Sequence, residues 1–229
     1  MGVREVARKI DLSASTTGRI MAGLKEMGLL SQNPDTRAYA LGASVLVWAG
    51  VYSSTLDVRN AALSAIDRLH RDTQETISLY ILQGDERVCV ERRESPQTVR
   101  LVTRVGRRLP LYAGSAGKVF LAFLPAERAS EILDKSAFTP FTPSTIIDRN
   151  ALEAELEVVR RQGFALSTGE WQSEASGIAA PIFNEKGEIV AALTISGPSQ
   201  RFTEEKMNQY AGVVTAAAGE VSRTMGYRR

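Results

Sequence analysis

Apolar side chains recur with helical spacing in two short stretches near the start of the chain. In the first stretch they fall at positions i, i+3, i+4 and i+7, on one face of a helix: Val3, Val6, Ala7 and Ile10. In the second stretch, residues 14–27, four apolar side chains share one side: Ile20, Met21, Leu24 and Met27. Ser13 is a suitable N-cap and Gly28 a suitable C-cap for this second helix. The pattern predicts two consecutive helices joined by a tight turn.

The side of the second helix that faces away from its apolar residues is small and polar, with one long basic side chain. It carries Ser15, Gly18, Arg19 and Ala22, with Thr16 on its flank. Such a surface can approach the edges of DNA bases closely, and an arginine can donate two hydrogen bonds to guanine or phosphate. Two predicted strands, residues 29–32 and 38–41, follow around a turn that carries Arg37 near its tip.

Two helices followed by a hairpin have the layout of a winged helix-turn-helix. This interpretation predicts DNA contacts from the N-cap, the outward helix face and the wing: Ser13, Ser15, Thr16, Gly18, Arg19 and Arg37. The alternative is a helical pair with a hairpin that serves packing or dimerisation. The charge favours DNA slightly, because residues 1–42 contain six basic and four acidic side chains whereas the rest of the chain is balanced.

Beyond residue 42 the spacing predicts two helices, at residues 42–54 and 56–71, and then a change to strands. The strands are predicted at residues 76–83, 87–92, 98–105, 164–167, 178–183 and 189–196. Further helices are predicted at residues 114–124, 126–134, 149–162 and 204–225. An antiparallel sheet flanked by helices gives an α+β fold. We therefore expect a DNA-binding unit in 1–42, a linker helix in 43–56 and a larger domain in 57–229.

The composition excludes several kinds of protein chemistry. The 229 residues include one cysteine, Cys89, and one histidine, His70, so neither an intrachain disulfide nor a usual zinc cluster can form. His70 lies in the charged run 67–72, which is typical of a solvated helix face and leaves an enzyme without a nucleophile–base pair. No apolar run is long enough for a membrane span, and the charged first nine residues are unlike a signal peptide. We expect a cytoplasmic protein without catalytic residues, metal or cofactor.

Two segments of the larger domain indicate a place for a small molecule. Residues 113–117 are small and open a predicted helix, where backbone N–H groups and the helix dipole favour an anion. The alternative is a tight turn that needs small residues for packing. Thr194 and Ser196 alternate with Leu193 and Ile195, so two hydroxyls share one face of an otherwise apolar strand. The alternative for this strand is that its hydroxyl face meets solvent.

Separated parts of the chain together resemble the IclR-type family of transcriptional regulators. Residues 6–19, 24–30 and 39–42 are similar to that family's helix-turn-helix, and residues 109–118 and 177–198 to stretches of its C-terminal half. The resemblance implies a winged helix-turn-helix, a linker helix and a GAF-like effector domain. It also implies a ligand-responsive regulator, either repressor or activator, that binds a double-stranded DNA operator and controls catabolic genes. Its effector would be a small organic or aromatic acid.

The resemblance places the effector between the helix-opening turn and the strand that carries the two hydroxyls. The implied contacts are Gly114, Ser115, Ala116, Gly117, Ser167, Glu170, Gly177, Thr194 and Ser196. The family often has an acidic residue at position 167 and a cysteine at position 177, so this chain departs from it twice. We expect Glu170 and Trp171 near the pocket mouth, and no lysine or arginine in the site. Apolar walls are expected from Ile178, Leu193 and Ile195.

Two further expectations concern the N-terminal unit. Family members usually have another helix before Val3, so the winged unit is expected to lack its first helix and the apolar face of residues 3–10 to lack a partner. A sensing or dimerisation protein that does not bind DNA is therefore the alternative function. Because a single recognition helix buries little surface on DNA, we expect paired helices in a homodimer or homotetramer.

Overall fold

The computed structural model describes residues 1–54, 57–101 and 104–228. The chain divides into two compact units, Met1–Leu56 and Asp57–Arg229. The division falls between an apolar helix, α3 (Ser44–Ser54), and the first helix of the larger unit, α4 (Asp57–Thr73). Among the helices that are described, none is both long and apolar enough to cross a bilayer.

The smaller unit has the predicted helix-turn-helix followed by a wing. Before α3 it contains α1 (Val3–Lys9), α2 (Ala14–Glu26), β1 (Leu30–Gln32) and β2 (Tyr39–Leu41). Ser13 caps α2, because its Oγ accepts a hydrogen bond from the backbone N–H of Thr16 at 3.1 Å. The antiparallel hairpin of β1 and β2 turns at Asn33, whose Oδ1 accepts from the backbone N–H groups of Asp35 and Thr36.

The buried side of α2 differs in part from the prediction. Thr17 and Met21 are buried, whereas Ile20 and Met27, expected beside Met21, are exposed. The buried positions continue to the half-buried Leu24, at spacings of four and three residues. The predicted buried face is therefore displaced around the axis of α2 from the observed one. The cause is Thr17, which its hydroxyl marks as polar although the methyl group of a threonine can pack in a core.

The larger unit is α+β, as predicted. After α4 it contains β3 (Thr76–Gln83), β4 (Glu86–Arg93), β5 (Arg108–Pro110), α5 (Ser115–Phe123), α6 (Ala126–Lys135), α7 (Arg149–Gln162), β6 (Ala165–Thr168), β7 (Ala175–Phe183), β8 (Ile189–Pro198) and α8 (Glu204–Thr224). Local signals set the helix ends. Asp148 caps α7 through the N–H of Ala151, and Gly163 ends it with a left-handed φ of 82°. Thr203 caps α8 through the N–H of Lys206.

In the described part of the chain, six strands form one antiparallel sheet in the order β5-β4-β3-β8-β7-β6. Helices α4 and α8 pack against one face of this sheet, and α5 packs against the other with α7 beside it. Successive side chains of a strand point to opposite faces. Tyr80, Ala179 and Ala192 belong to the core under α5, so their strand neighbours face α4 and α8.

One predicted strand is wrong. Residues 102–103 lie outside the described residues, and the described remainder of 98–105 forms no strand. The edge position is taken instead by β5, which pairs with β4. Arginine side chains bind carbonyls of the preceding loop: Arg92 Nη2 lies 2.6 Å from Leu101 O, and Arg201 Nη1 lies 2.9 Å from Val99 O. These bonds satisfy backbone groups that a strand would have paired in a ladder.

Candidate functional site

A cavity of about 80 Å³ opens between the N-terminus of α5 and the sheet beneath it. Its lining residues are Tyr80, Arg87, Leu101, Leu109, Gly114, Ser115, Ala116, Ser167, Trp171, Gln172, Ala175, Ser176, Gly177, Thr194 and Ser196. Seven of the nine predicted effector contacts are therefore brought together around one space. The other two predicted contacts, Gly117 and Glu170, are not among the described residues that line the cavity. That these residues bind an effector stays a prediction.

Strand register explains why small polar side chains meet at this cavity. Ser167 on β6 lies opposite Gly177 on β7, and Gly177 lies opposite Ser196 on β8. A Cβ placed on Gly177 would lie 3.3 Å from Ser115 Oγ and 3.4 Å from Ser196 Cβ. The missing side chain of Gly177 therefore lets the first residue of α5 lie directly against the sheet.

The turn before α5 is needed for packing, one of the two roles that the sequence left open, and its geometry is also compatible with the other, anion binding. Gly114 has a φ of 85°, which favours glycine. A Cβ on Gly117 would lie 2.1 Å from Leu111 O, so Gly117 is needed for packing. The backbone N–H groups of Ser115 and Ala116, in the first turn of the helix, donate to no described residue. They line the cavity at the positive end of the helix dipole, where an anion is stabilised.

Glu170 lies behind the turn, and the expectation that it contributes to the pocket mouth is wrong. Its Oε2 accepts from the N–H of Gly114 at 2.8 Å, and its Oε1 accepts from Lys118 Nζ at 2.7 Å. Glu170 and Lys118 are both buried, and Lys118 also donates to Glu155 Oε1 at 3.0 Å. Glu170 therefore holds the α5 turn in place, since it is fully engaged by a backbone donor and a buried cation.

The cavity hydroxyls differ in how available they are to a ligand. Thr194 Oγ1 donates to Ser78 O at 3.2 Å, so the hydroxyl proton of this predicted effector contact is already used. The hydroxyls of Ser115, Ser167 and Ser196 form no hydrogen bond with any described residue. The free donors are therefore these three serines rather than the threonine.

The apolar walls also come from residues other than those predicted. Ile178, Leu193 and Ile195 alternate with cavity residues along β7 and β8, so they face α4 and α8. The walls are formed by Tyr80, Leu101, Leu109, Trp171 and Ala175. A strand that turns its hydroxyls toward a cavity must turn their neighbours away from it. Leu101 and Trp171 lie in irregular segments, where periodicity gives no signal.

Arg87 is a cavity residue that the sequence analysis missed, and it contradicts the expectation of a site without a full charge. The residue is 4% exposed, and its guanidinium donates to Pro110 O and lies 5.6 Å from the ring centroid of Tyr80. Burial lowers the pKa of the guanidinium to about 10, although Tyr80 and Glu170 raise it, so it remains charged at neutral pH. The sequence offered one signal for this burial: Cys89, two residues along β4, shares the same face of the strand and is buried.

The predicted DNA contacts lie on α2 and the wing. Ser15 and Arg19 are exposed, and the Arg19 side chain has no hydrogen bond or ion pair with a described residue. Ser13 and Thr16 share a hydrogen bond of 2.9 Å between their hydroxyls at the start of α2. Gly18, expected to face outward, faces α1, because a Cβ placed on it would lie 3.8 Å from Val3 Cγ1. Arg37 is exposed at the wing, with a φ of 59°.

The remaining titratable candidates do not form a second site. His70 is half-buried rather than solvated, and its Nδ1 lies 3.1 Å from Glu75 O. Burial raises the pKa of the Cys89 thiol to about 11. Within the residues that the structure describes, no group of histidine, cysteine and acidic side chains could hold a metal ion.

Known proteins match both units of the chain. Residues 50–223 match the family "Bacterial transcriptional regulator IclR C-terminal", and residues 1–34 match the "IclR helix-turn-helix domain". The chain belongs to the IclR family. This IclR-family regulator is 33% identical over 223 residues to the HTH-type transcriptional regulator KipR of Bacillus subtilis, covering 97% of this chain and 89% of KipR.

Solved structures agree with this assignment. The IclR protein of Thermotoga maritima superimposes with a TM-score of 0.81 at 32% identity, covering 99% of this chain and 92% of that one. An IclR homolog from Microbacterium hydrocarbonoxydans, crystallised with 4-hydroxybenzoate, superimposes with a TM-score of 0.83 at 26% identity, covering 98% and 91%. The present IclR-family member is thus a DNA-binding transcriptional regulator with an effector-binding domain, and its family consists of regulators rather than enzymes.

Proposed function

We propose that this regulator reads its operator with α2 and the wing, and responds to a small organic acid bound in the cavity at α5. The observation that carries the proposal is the convergence, on one space with apolar walls, of two N–H groups and three serine hydroxyls that bind no residue the structure describes. A mostly apolar cavity with a few convergent donors is the usual form of a small-molecule site. We further propose that the acid controls genes for its own catabolism, and that the protein works in the cytoplasm, where its operator lies.

For DNA, the proposed contacts are Ser13, Ser15, Thr16, Arg19 and Arg37, with Gly18 allowing close approach of α1 and α2. Arg19→Ala is expected to weaken binding by about 5- to 150-fold, since a good arginine–base contact contributes roughly 1–3 kcal/mol. Fluorescence anisotropy at fixed salt measures this on a duplex that the full chain selects from random sequences. The exposed Arg71 of α4, changed to alanine, is the control. Equal affinity of Arg19→Ala and wild type would remove Arg19 from recognition.

For the effector, the proposed contacts are the N–H groups of Ser115 and Ala116 and the hydroxyls of Ser115, Ser167 and Ser196. Ser196→Ala is expected to reduce the thermal shift caused by 4-hydroxybenzoate or by a small aliphatic acid, because a ligand that binds the folded state raises its melting temperature. Ser115→Phe, which fills the cavity, is expected to abolish the shift. Ser64→Ala, on the exposed side of α4, is the control. Undiminished shifts in both cavity variants would place the effector elsewhere.

We also propose a homodimer or homotetramer. The support is α3, an apolar helix whose large side chains are exposed in the described chain: Leu46 is 77% exposed, and Val47 and Trp48 are also exposed. Clusters of exposed apolar residues mark association surfaces, and a second copy would bring a second α2 to the operator. Sedimentation at micromolar concentration is expected to show a dimer or larger, and Leu46→Asp to shift it toward monomer. A monomeric wild type would overturn this part.

A further inference from the structure

Arg87 stands apart from the other buried charged residues of the larger unit. The remaining buried charges are paired: Glu75 with Arg201, Glu91 with Arg59, and Lys118 with Glu170. Arg87 forms no ion pair with any residue that the structure describes. A buried cation without a paired anion is costly, so its retention needs an explanation.

The hydrogen bonds of Arg87 leave most of its guanidinium unused. Its Nη1 donates to Pro110 O, but its Nε is buried and unpartnered, and its Nη2 has no bond to a described residue. Nη2 lies 3.1 Å from the position that a Cβ on Gly114 would occupy, beside the turn that opens α5. The unused donors therefore stand next to the free N–H groups of Ser115 and Ala116, and all three residues line the same cavity.

The charges around this turn do not balance in the interior. The buried charged side chains described there are Arg87, Lys118 and Glu170, which leave one positive charge in excess. Glu155, which also pairs with Lys118, is 34% exposed and meets water. Glu170 is held by Lys118 and the N–H of Gly114. The cavity thus presents a guanidinium without an ion pair to a described residue, beside the N–H groups of Ser115 and Ala116, which Glu170 does not bind.

We propose that Arg87 is the charge-bearing contact of the effector site and restricts it to ligands with an ionised carboxylate, bound jointly by Arg87 and the first N–H groups of α5. This inference rests on the proposed effector site and specifies it. A neutral amide of the same shape is rejected, because it leaves the buried guanidinium uncompensated. An arginine that served only to hold the turn would not distinguish the acid from its amide.

The test compares Arg87→Met with wild type in the full-length protein, using 4-hydroxybenzoate with 4-hydroxybenzamide and lactate with lactamide as probe pairs. Isothermal titration gives the affinities, and thermal unfolding gives the melting temperature without ligand. Arg108→Met is the matched control: it removes one positive charge from the neighbouring strand, where Arg108 is exposed, pairs with Glu86 and does not line the cavity. Arg87→Lys keeps the charge but loses the planar fork.

In wild type, at least one acid is expected to bind at least 10-fold more tightly than its amide. Arg87→Met is expected to weaken the binding of that acid by about 10- to 100-fold, as for the loss of a charged hydrogen bond. The affinities of the acid and its amide should then differ by no more than about threefold. The affinity of Arg87→Lys for the acid should lie between those of wild type and Arg87→Met, and the affinity of Arg108→Met should equal that of wild type. Without ligand, Arg87→Met should melt at or above wild type, because an uncompensated buried charge is gone.

Two results would overturn the proposal, and they differ from a failure of the proposed function. If an acid binds Arg87→Met as tightly as wild type, the effector site stands but Arg87 is not its charge. If no probe binds wild type, the melting temperature without ligand decides whether Arg87 is a structural residue. A lower value for Arg87→Met then shows that Arg87 is a structural residue and overturns the inference, whereas an equal or higher value supports a cation held for an anionic ligand.

Discussion

The two units of the chain differ in how much of their apolar surface they bury. In Met1–Leu56 the buried residues among those described are Ala7, Thr17 and Met21, while Ile10 and Ile20 remain exposed. In the larger unit, apolar side chains fill both sides of the sheet. Because apolar burial is the main force that stabilises a fold, we expect the larger unit, Asp57–Arg229, to fold alone. We expect the smaller unit to need contacts beyond its own residues.

The largest expected effect is a difference in independent folding. A fragment of residues 57–229 is expected to unfold in one cooperative transition in urea, whereas a fragment of residues 1–42 is expected to show none, because so small a unit buries too little apolar surface. Circular dichroism measures both, with the full chain as reference. A cooperative transition in the short fragment would abolish the contrast between the units.

A core truncation in the larger unit should have the next largest effect. Phe120 on α5 is fully buried in the cluster beneath that helix. Phe120→Ala is expected to lower the free energy of unfolding by about 3–5 kcal/mol, because it removes apolar contacts and leaves a cavity. Urea unfolding measures the change, and the exposed Val105, changed to alanine, is the control. A loss below about 1 kcal/mol would mean that this side of the sheet is not a packed core.

The helices and most strands could be predicted from the sequence because their signals are local. The helix predicted at residues 149–162 is confirmed at both ends as α7, which the structure shows capped by Asp148 and ended by Gly163. Residues 98–105 were misassigned because side chains distant in sequence, such as Arg201, bind that loop. A contact made across about a hundred residues leaves no pattern in the segment itself.

The cavity could be predicted only where residue type alone indicated its role. The small turn before α5 and the hydroxyls of β8 were visible, and the structure brings them together. The different bonding of Thr194 and Ser196 was not, because it depends on the β3–β8 register that sets Ser78 beside Thr194. Arg87 was missed because a charged residue in a strand is usually exposed, and its burial follows from α5 packing over it.

The pH dependence of stability should show how well the larger unit excludes water. Burial raises the pKa of Cys89 from 9.0 to about 11, so the folded state favours the protonated thiol. The unfolded chain loses this proton first, and stability falls as pH rises above 9, by about 1 kcal/mol between pH 9 and 10. Burial lowers the Arg87 pKa to about 10, so Arg87 acts in the opposite direction as the pH approaches and passes 10, equally in wild type and Cys89→Ala.

This loss is measured by urea unfolding at pH 8, 9 and 10, with Cys89→Ala as the control because it lacks the thiol. Between pH 9 and 10, wild type should lose about 1 kcal/mol of stability relative to Cys89→Ala. A constant difference across the three pH values would show that water reaches the thiol in the folded state, and that the interior near β4 is less closed than its burial indicates.

The smallest expected effect lies on the face of α2 that the sequence analysis placed wrongly. If Ile20 packed in the core beside Met21, its truncation to alanine would cost about 2–5 kcal/mol. The structure leaves Ile20 exposed, so Ile20→Ala is expected to change the unfolding free energy of the full chain by less than about 0.5 kcal/mol. Met21→Ala, on the buried side of the same helix, is the matched comparison, and urea unfolding followed by far-UV circular dichroism measures both. A larger loss from Ile20→Ala in the full chain would show that another surface covers this side of α2. The N-terminal unit would then bury more apolar surface than its own residues provide, and the contrast between the two units would be smaller than the isolated chain indicates.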